Sequence, residues 1–421
     1  MLWRVFERIV RDNRIKRLCL VIDALDECED NSRLLFLEQL RRLLRDGTCV
    51  GERAKVLFTR RPHVVITSHL PVAVEIRLDV EILHHDIKAF VVAEVEKLPQ
   101  FSKMAGEIEH ALIDGAKGMF LWVSLVLDDL RRSCTTKSRV IQEKLKSLPR
   151  SLPGLYENIL RKVEPVDQPT ANIILQWVVW ASRPLTLKEL TIAVAIRPQD
   201  TSLSSMEEEM ESDLRTVLRM IFGPLITVDD DKTVHLVHQS AKDFLSQPDI
   251  SPQHGSHNQS LSGWRLSPIE AHRRLGIGCL KYMAFEFKLK NEPVDSKIDR
   301  SHISENAETL RIGRGHNLLS YAVKYWQDHV RQTDQRDPDV LRAFLALRKP
   351  GKNNFLVYSV SRMLRNWYQE EDRSVRSSLY VAIVFELFDF AEELVKCRCV
   401  SDLSDRIGIL MHHSSLRHSV D

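Results

Sequence analysis

The sequence predicts a piece of a parallel α/β sheet followed by a mostly helical chain. Three observations carry this. Residues 18–22, Leu-Cys-Leu-Val-Ile, are an apolar run without polar alternation, as in a strand buried on both faces of a parallel sheet. A second run, Lys55-Val-Leu-Phe58, follows one amphipathic helix later, so strand, helix and strand make a βαβ crossover with parallel strands. From residue 86 onward apolar residues recur mainly at helical spacing.

Before the first strand, Leu2, Phe6, Ile9 and Val10 set against Arg4, Glu7, Arg8 and Arg11 predict a single amphipathic helix within residues 1–17. The strand stops at Asp23, where an open parallel sheet meets its ligand crevice, and Asp26 and Glu27 follow within one turn. Three carboxylates are therefore expected to crowd one strand tip. Leu34, Phe36, Leu37, Leu40, Leu43 and Leu44 form the apolar stripe of a helix over 32–46, with Asp30, Asn31 or Ser32 able to cap it. The second strand runs into Thr59-Arg60-Arg61-Pro62, which brings Thr59 and Arg61 beside Asp23. An Arg there can touch a γ-phosphate. Val74, Ile76 and Leu78 alternate and could form one more strand.

A strand-end Asp followed by a further acid is the Walker B arrangement of P-loop NTPases, in which the Asp holds Mg²⁺ and a later acid orients water. The form Ile-Asp-Ala-Leu-Asp-Glu-Cys, residues 22–28, resembles the NACHT class of signal-transducing NTPases, especially the large fungal set related to NOD-like immune receptors. The resemblance implies Asp23 as the Mg²⁺ ligand and Asp26 and Glu27 as catalytic acids. It also implies Thr59 and Arg61 as nucleotide contacts of a sensor motif, usually Thr-Ser-Arg-Pro, in which Arg60 here replaces Ser. The plainer reading is a buried strand ending in a solvated acidic loop.

A P-loop, Gly-x-x-x-x-Gly-Lys-[Ser/Thr], occurs nowhere in the 421 residues, and Gly351-Lys352 lacks both the earlier Gly and the following hydroxyl. The expectation is that the chain begins inside the NTPase domain, with the first half of the sheet missing. Family members hold Mg²⁺ and ATP or ADP. This chain alone is expected to hold neither and to be inactive as an ATPase.

Next, Asp86 is expected to cap a helix carrying Ile87, Phe90, Val91, Val95 and Leu98, and a second helix carries Met104, Ile108, Ala111 and Leu112. Gly115 and Gly118 punctuate the chain before Met119-Phe-Leu-Trp-Val, a buried helix. Gly-Met-Phe-Leu-Trp resembles a signature of fungal NACHT proteins, where it lies in the helical lid. Residues 140–160 continue helically, with Pro149 and Pro153 marking turns.

Residues 170–250 predict a winged helix. Ile173 to Ala181 make a first helix. Thr186-Leu-Lys-Glu189 is a capping box opening a second over 187–196, and 214–221 a third. Residues 225–228 and 234–237 flank the turn 229–232 as a β-hairpin. Ser240-Ala-Lys-Asp243 reads as a second capping box. Residues 236–245 again resemble the fungal NACHT family, and also the Met-His-Asp motif of plant immune NTPases, whose His touches the β-phosphate of ADP. That implies His238 as a nucleotide contact, with Gln239 in place of the Asp. The alternative is a core histidine pinning the wing. DNA binding is disfavoured, because the third helix offers only Arg215 and Arg219 behind Glu207, Glu208, Glu209, Glu211 and Asp213.

The expected organisation is 1–85, the C-terminal half of a NACHT NTPase domain; 86–165, a helical lid; 166–250, a winged helix; 251–268, a linker; 269–400, a helical region; and 401–421, a loose tail. Asn317 to His329 resembles the segment preceding ankyrin repeats in the same fungal proteins. Ser378 to Val395 resembles one ankyrin helix pair, with Glu386 at the usual turn Gly. One such unit cannot bury its own face.

A formal net charge of +2 gives no bulk argument for nucleic acid or membrane. Seven scattered cysteines suit a reducing compartment, and a cytoplasmic protein is expected. Cys397-Arg-Cys399, His84-His85 and His412-His413 lack further ligands at metal spacing. The longest apolar stretch, 119–127, is far short of a membrane span. The resemblance implies a nucleotide-controlled switch in self/non-self or immune-like signalling, with protein partners or self-association through the NACHT and ankyrin-like parts. A nucleotide-independent helical scaffold is the alternative.

Overall fold

The computed structural model describes residues 2–12, 14–45, 54–60, 76–78, 80–132, 137–197, 199–200, 202–247, 264, 266–285, 317–334, 336–347, 382, 387 and 391–392. By contacts the chain divides into two units, Met1–Ile82 and Leu83–Asp421. The expected ankyrin-like pair lies almost wholly outside the described residues, and the expected tail entirely so.

In the first unit, α1 (Leu2–Val10) leads to β1 (Leu18–Ile22), α2 (Asp30–Arg45) and β2 (Ala54–Phe58). The two strands pair in parallel, Leu18 opposite Ala54 through Ile22 opposite Phe58, so the crossover forms with the expected parallel pairing. The α2 stripe lies inward, with Leu37, Leu40 and Leu43 buried. One cluster joins Val10 and Leu43 with Trp3, Phe6, Leu18 and Ala54, while a second joins Leu25 and Leu37 with Ile22, Phe36 and Phe58. On α1, Ile9 is exposed, and it is Trp3 that faces inward.

The strands are not covered on both faces as their composition predicts. Burial alternates along each, leaving Val21 71% and Leu57 60% exposed on the uncovered side. Apolar alternation is absent because both faces are suited to burial, yet only one is packed here. Residues 76–78 form no strand, and Ile76 and Leu78 are exposed. Val74 lies outside the described residues.

From Val80 to Trp180 the described elements are all helices. Asp86 does not cap a helix, because α3 already begins at Val80 and runs to Glu96, with Ile87, Val91 and Val95 buried. A 3-10 segment, Pro99–Met104, precedes α4 (Ala105–Ala116) and α5 (Phe120–Arg131). Lys117 and Gly118 both adopt positive φ, turning the chain between α4 and α5. Gly115 does not break α4 but lies within it. Then come α6 (Ser138–Lys146) and α7 (Leu152–Arg161). Pro153 sits in the first turn of α7 behind the N-cap Ser151, where a missing N–H costs nothing. Asp129 of α5 receives Lys144 of α6 at 2.9 Å and Lys162 beyond α7 at 2.7 Å, tying the three helices together.

The winged-helix arrangement follows: α8 (Gln168–Trp180), β3 (Leu185–Thr186), α9 (Leu187–Ala195), α10 (Leu203–Glu207), α11 (Leu214–Phe222), β4 (Ile226–Val228), β5 (Thr233–Leu236) and α12 (Gln239–Ser246). The strands order β3-β5-β4, all antiparallel. The Thr186–Glu189 capping box is complete. Beyond it, Trp264 and Leu266 are buried, and the Leu266 N–H donates to Leu245 O at 3.1 Å, so the expected linker ends tied to the core. Helices α13 (Pro268–Ala284), α14 (Leu319–Arg331) and α15 (Pro338–Ala346) follow in the same unit. No described helix is long and apolar enough to cross a membrane.

Candidate functional site

Two parallel strands deliver their carboxyl ends to one place, and at that place their side chains are joined. The Thr59 hydroxyl donates to Asp23 Oδ1 and accepts the Ala24 N–H at 2.8 Å. Backbone bonds extend the link, from Thr59 N–H to Ile22 O and from Leu25 N–H to Thr59 O, each 3.0 Å. Both side chains are exposed. Asp23 thus has one oxygen held by Thr59 and a second with no partner among the described residues.

After Asp23 the chain bends sharply. Ala24 adopts the left-handed conformation, φ 51° and ψ 48°, which costs a residue with a Cβ about 1 kcal/mol. The bend turns Leu25 into the core and starts a 3-10 turn, Leu25–Glu27, closed by Glu27 N–H to Ala24 O at 2.9 Å. Asp26 and Glu27 ride this turn. The expected convergence of three carboxylates does not occur: among the described residues no group of three or more His, Cys, Asp or Glu could hold a metal.

What holds the turn is a residue that pattern reading misses. Arg33 is buried, and its guanidinium donates to Cys28 O at 3.0 Å and Asp26 O at 3.4 Å, and pairs with Asp30. An Arg in the first turn of a leucine-rich helix reads as surface charge. The signal for its burial is its place one helical turn before Leu37, on the stripe that also carries Leu40. Arg61, the expected sensor, lies outside the described residues.

In the second unit, His238 is exposed, so it is not a core histidine. It is itself the N-cap of α12, its Nδ1 accepting the Ser240 N–H at 3.1 Å. Ser240 is therefore inside the helix, not its cap. Its hydroxyl lies 2.8 Å from His238 Nδ1 and 2.8 Å from the hydroxyl of buried Tyr156 on α7. Because Nδ1 accepts from a backbone amide, the neutral ring carries its proton on Nε2. The exposed edge of His238 is thus an N–H donor, oriented through Ser240 and Tyr156.

Mg²⁺ is typically bound by one or two carboxylates together with substrate phosphates, and Asp23 keeps one carboxylate oxygen that Thr59 does not engage. A phosphate cradle is not supplied by any Gly-Lys-[Ser/Thr] string in the sequence.

Residues 163–254 match the family model described as GPI inositol-deacylase, winged helix domain, and residues 1–61 match Nephrocystin 3, N-terminal. The chain is 31% identical over 349 residues to Vegetative incompatibility protein HET-E-1 of Podospora anserina, an alignment covering 79% of this chain and 24% of the relative. The chain thus spans about a quarter of the length of the curated relative that it matches. No solved structure matches.

Proposed function

We propose that the chain carries part of a NACHT-type, nucleotide-controlled signalling protein of the incompatibility class that its fungal relative's name describes. The observation that carries the reading is the coupling of Asp23 to Thr59 across two adjacent parallel strand ends. A strand-end Asp with an open oxygen is the Mg²⁺ half of a P-loop NTPase site. Asp23 is assigned to the metal, Asp26 and Glu27 to orientation of water, and Thr59 and Arg61 to the nucleotide. His238 is assigned to a phosphate oxygen, through its Nε2–H. Similarity to the incompatibility protein supports a signalling role over a purely metabolic one.

The catalytic parts form one half of such a site, and the phosphate cradle must come from elsewhere. Turnover by these 421 residues alone is therefore not part of the proposal. Self-association or protein partners are the expected output, as a change of nucleotide state is useful only if it alters an interaction.

His238→Ala in the longest protein that the gene encodes tests the assignment. One hydrogen bond to a charged phosphate is worth about 1.5–3 kcal/mol. ADP release should accelerate roughly ten-fold or more, with increased self-association by light scattering, and Tyr156→Phe should give a smaller shift in the same direction. Unchanged ADP release with a lowered melting temperature would mean that His238 serves only as a helix cap.

A further inference from the structure

Away from the proposed nucleotide residues, the second unit contains a buried polar chain that the proposed function does not use. The Ser182 N–H, in the turn after α8, donates to the Tyr321 hydroxyl at 2.9 Å. That hydroxyl lies 2.8 Å from His329 Nε2, both on α14. His329 Nδ1 lies 2.9 Å from His272 Nδ1 on α13. All three side chains are buried, His329 and Tyr321 completely. Trp180 closes over His272 edge-on, with ring centroids 5.5 Å apart. The chain therefore crosses from the winged helix to α13 and α14.

Its hydrogens have a direction. A backbone N–H can only donate, so Tyr321 accepts from Ser182 and uses its own O–H on His329 Nε2. His329 then carries its proton on Nδ1 and gives it to His272 Nδ1. Every link needs one hydrogen and has one. An added proton either sets two N–H donors against each other between the imidazoles, or reverses the chain and strands the buried Tyr321 hydroxyl. Burial itself also disfavours the charge.

Among the described residues, nothing packed around the pair offers an imidazolium a counter-charge. From α12, Lys242 repels a proton on His272. From the turn after α8, Arg183 lies over the Tyr321 ring at 5.2 Å. Glu189 of α9 is committed to Arg183, at 2.6 Å, and to the Thr186 amide, at 2.8 Å. Cys279 of α13 is buried, which pushes its thiol up and keeps it neutral. A metal reading fails too, as no third ligand joins the two histidines among the described residues.

We propose that Ser182, Tyr321, His329 and His272 form an acid-released latch that docks α13 and α14 on the winged helix, so that a fall in pH undocks this helical pair. The inference does not depend on nucleotide binding.

The sign follows from linkage. Burial, with repulsion from His272, holds His329 down to about 3, and burial, with repulsion from Lys242, lowers His272 as well. An undocked histidine titrates near 6.5. The released state therefore binds more protons below that value, and docking is full above about pH 6.5 and weakens as pH falls toward 3. At about pH 5 the release of His329 alone raises the undocked population about thirty-fold over pH 7.5.

The test is amide hydrogen exchange by mass spectrometry on the full chain at about pH 7.5 and pH 5, corrected for the intrinsic rate. Peptides over 268–284 and 319–331 should gain about thirty-fold or more in exchange on acidification, while peptides over 105–131 do not. The double variant His272→Asn and His329→Gln, which cannot titrate, should remove that gain. Equal acid responses in both regions of the wild type would overturn the proposal, as would a gain that persists in the double variant. Should the double variant not fold, histidine NMR of the wild type at about pH 5 decides. Two neutral imidazoles in the docked state support the latch, and an imidazolium there overturns it.

Discussion

Trp122→Ala is expected to cost the second unit about 3–5 kcal/mol, the range for removing a fully buried large aromatic. Trp122 is buried in α5, and its indole N–H donates to Pro149 O at 2.8 Å. Its ring fills the space that Gly115 of α4 leaves open: a Cβ on Gly115 would stand 2.3 Å from the ring's Cη2. The two residues interlock, so the Gly-x-x-Gly-Met-Phe-Leu-Trp string has a packing reason that needs no nucleotide. The converse change, Gly115→Ala, forces the ring aside and should cost about 1–3 kcal/mol. Urea unfolding followed by helical ellipticity measures both. A loss below about 1 kcal/mol for Trp122→Ala would mean that α4 and α5 do not share this core.

The second large effect is expected at Arg33. Arg33→Met keeps the buried stem but removes the donors to Cys28 O and Asp26 O and the pairing with Asp30. Asp30 is exposed and the carbonyls can reach water, so the cost falls short of breaking a fully buried ion pair. A loss of about 2–3 kcal/mol in the first unit is the expected value, given charge-assisted bonds of about 1.5–3 kcal/mol each. Because the turn that Arg33 holds carries Asp26 and Glu27, its amides should lose exchange protection before those of α2. Protection that falls equally across both would make Arg33 a general core residue rather than the support of this turn.

The crossover of the first unit was legible because parallel pairing follows from chain order and connection length, and the strand ends came within a residue of their observed limits. The nearness of Thr59 to Asp23 was legible for the same reason. What was hidden depends on the third dimension. Composition says that a strand can be buried on both faces, but not whether anything covers them, and Val21 and Leu57 are bare. The left-handed bend at Ala24 was invisible, because the usual marker for that conformation is glycine. Ser240 resembled a cap more than His238 did, since hydroxyls cap far more often than imidazoles, yet the ring reaches the amide first. The His272–His329 pair was illegible because 57 residues separate its members. The Thr186–Glu189 box was read directly, as its whole geometry lies within four residues.

Calorimetry with ADP and Mg²⁺ tests the nucleotide-switch reading most directly, on this chain and on the longest protein its gene encodes. Binding of about micromolar affinity or tighter by the longer protein is expected, roughly −8 kcal/mol, weakened at least about ten-fold by Asp23→Ala, with no such binding by the 421 residues alone. Absence of binding by the longer protein, or micromolar binding that survives Asp23→Ala, would contradict it.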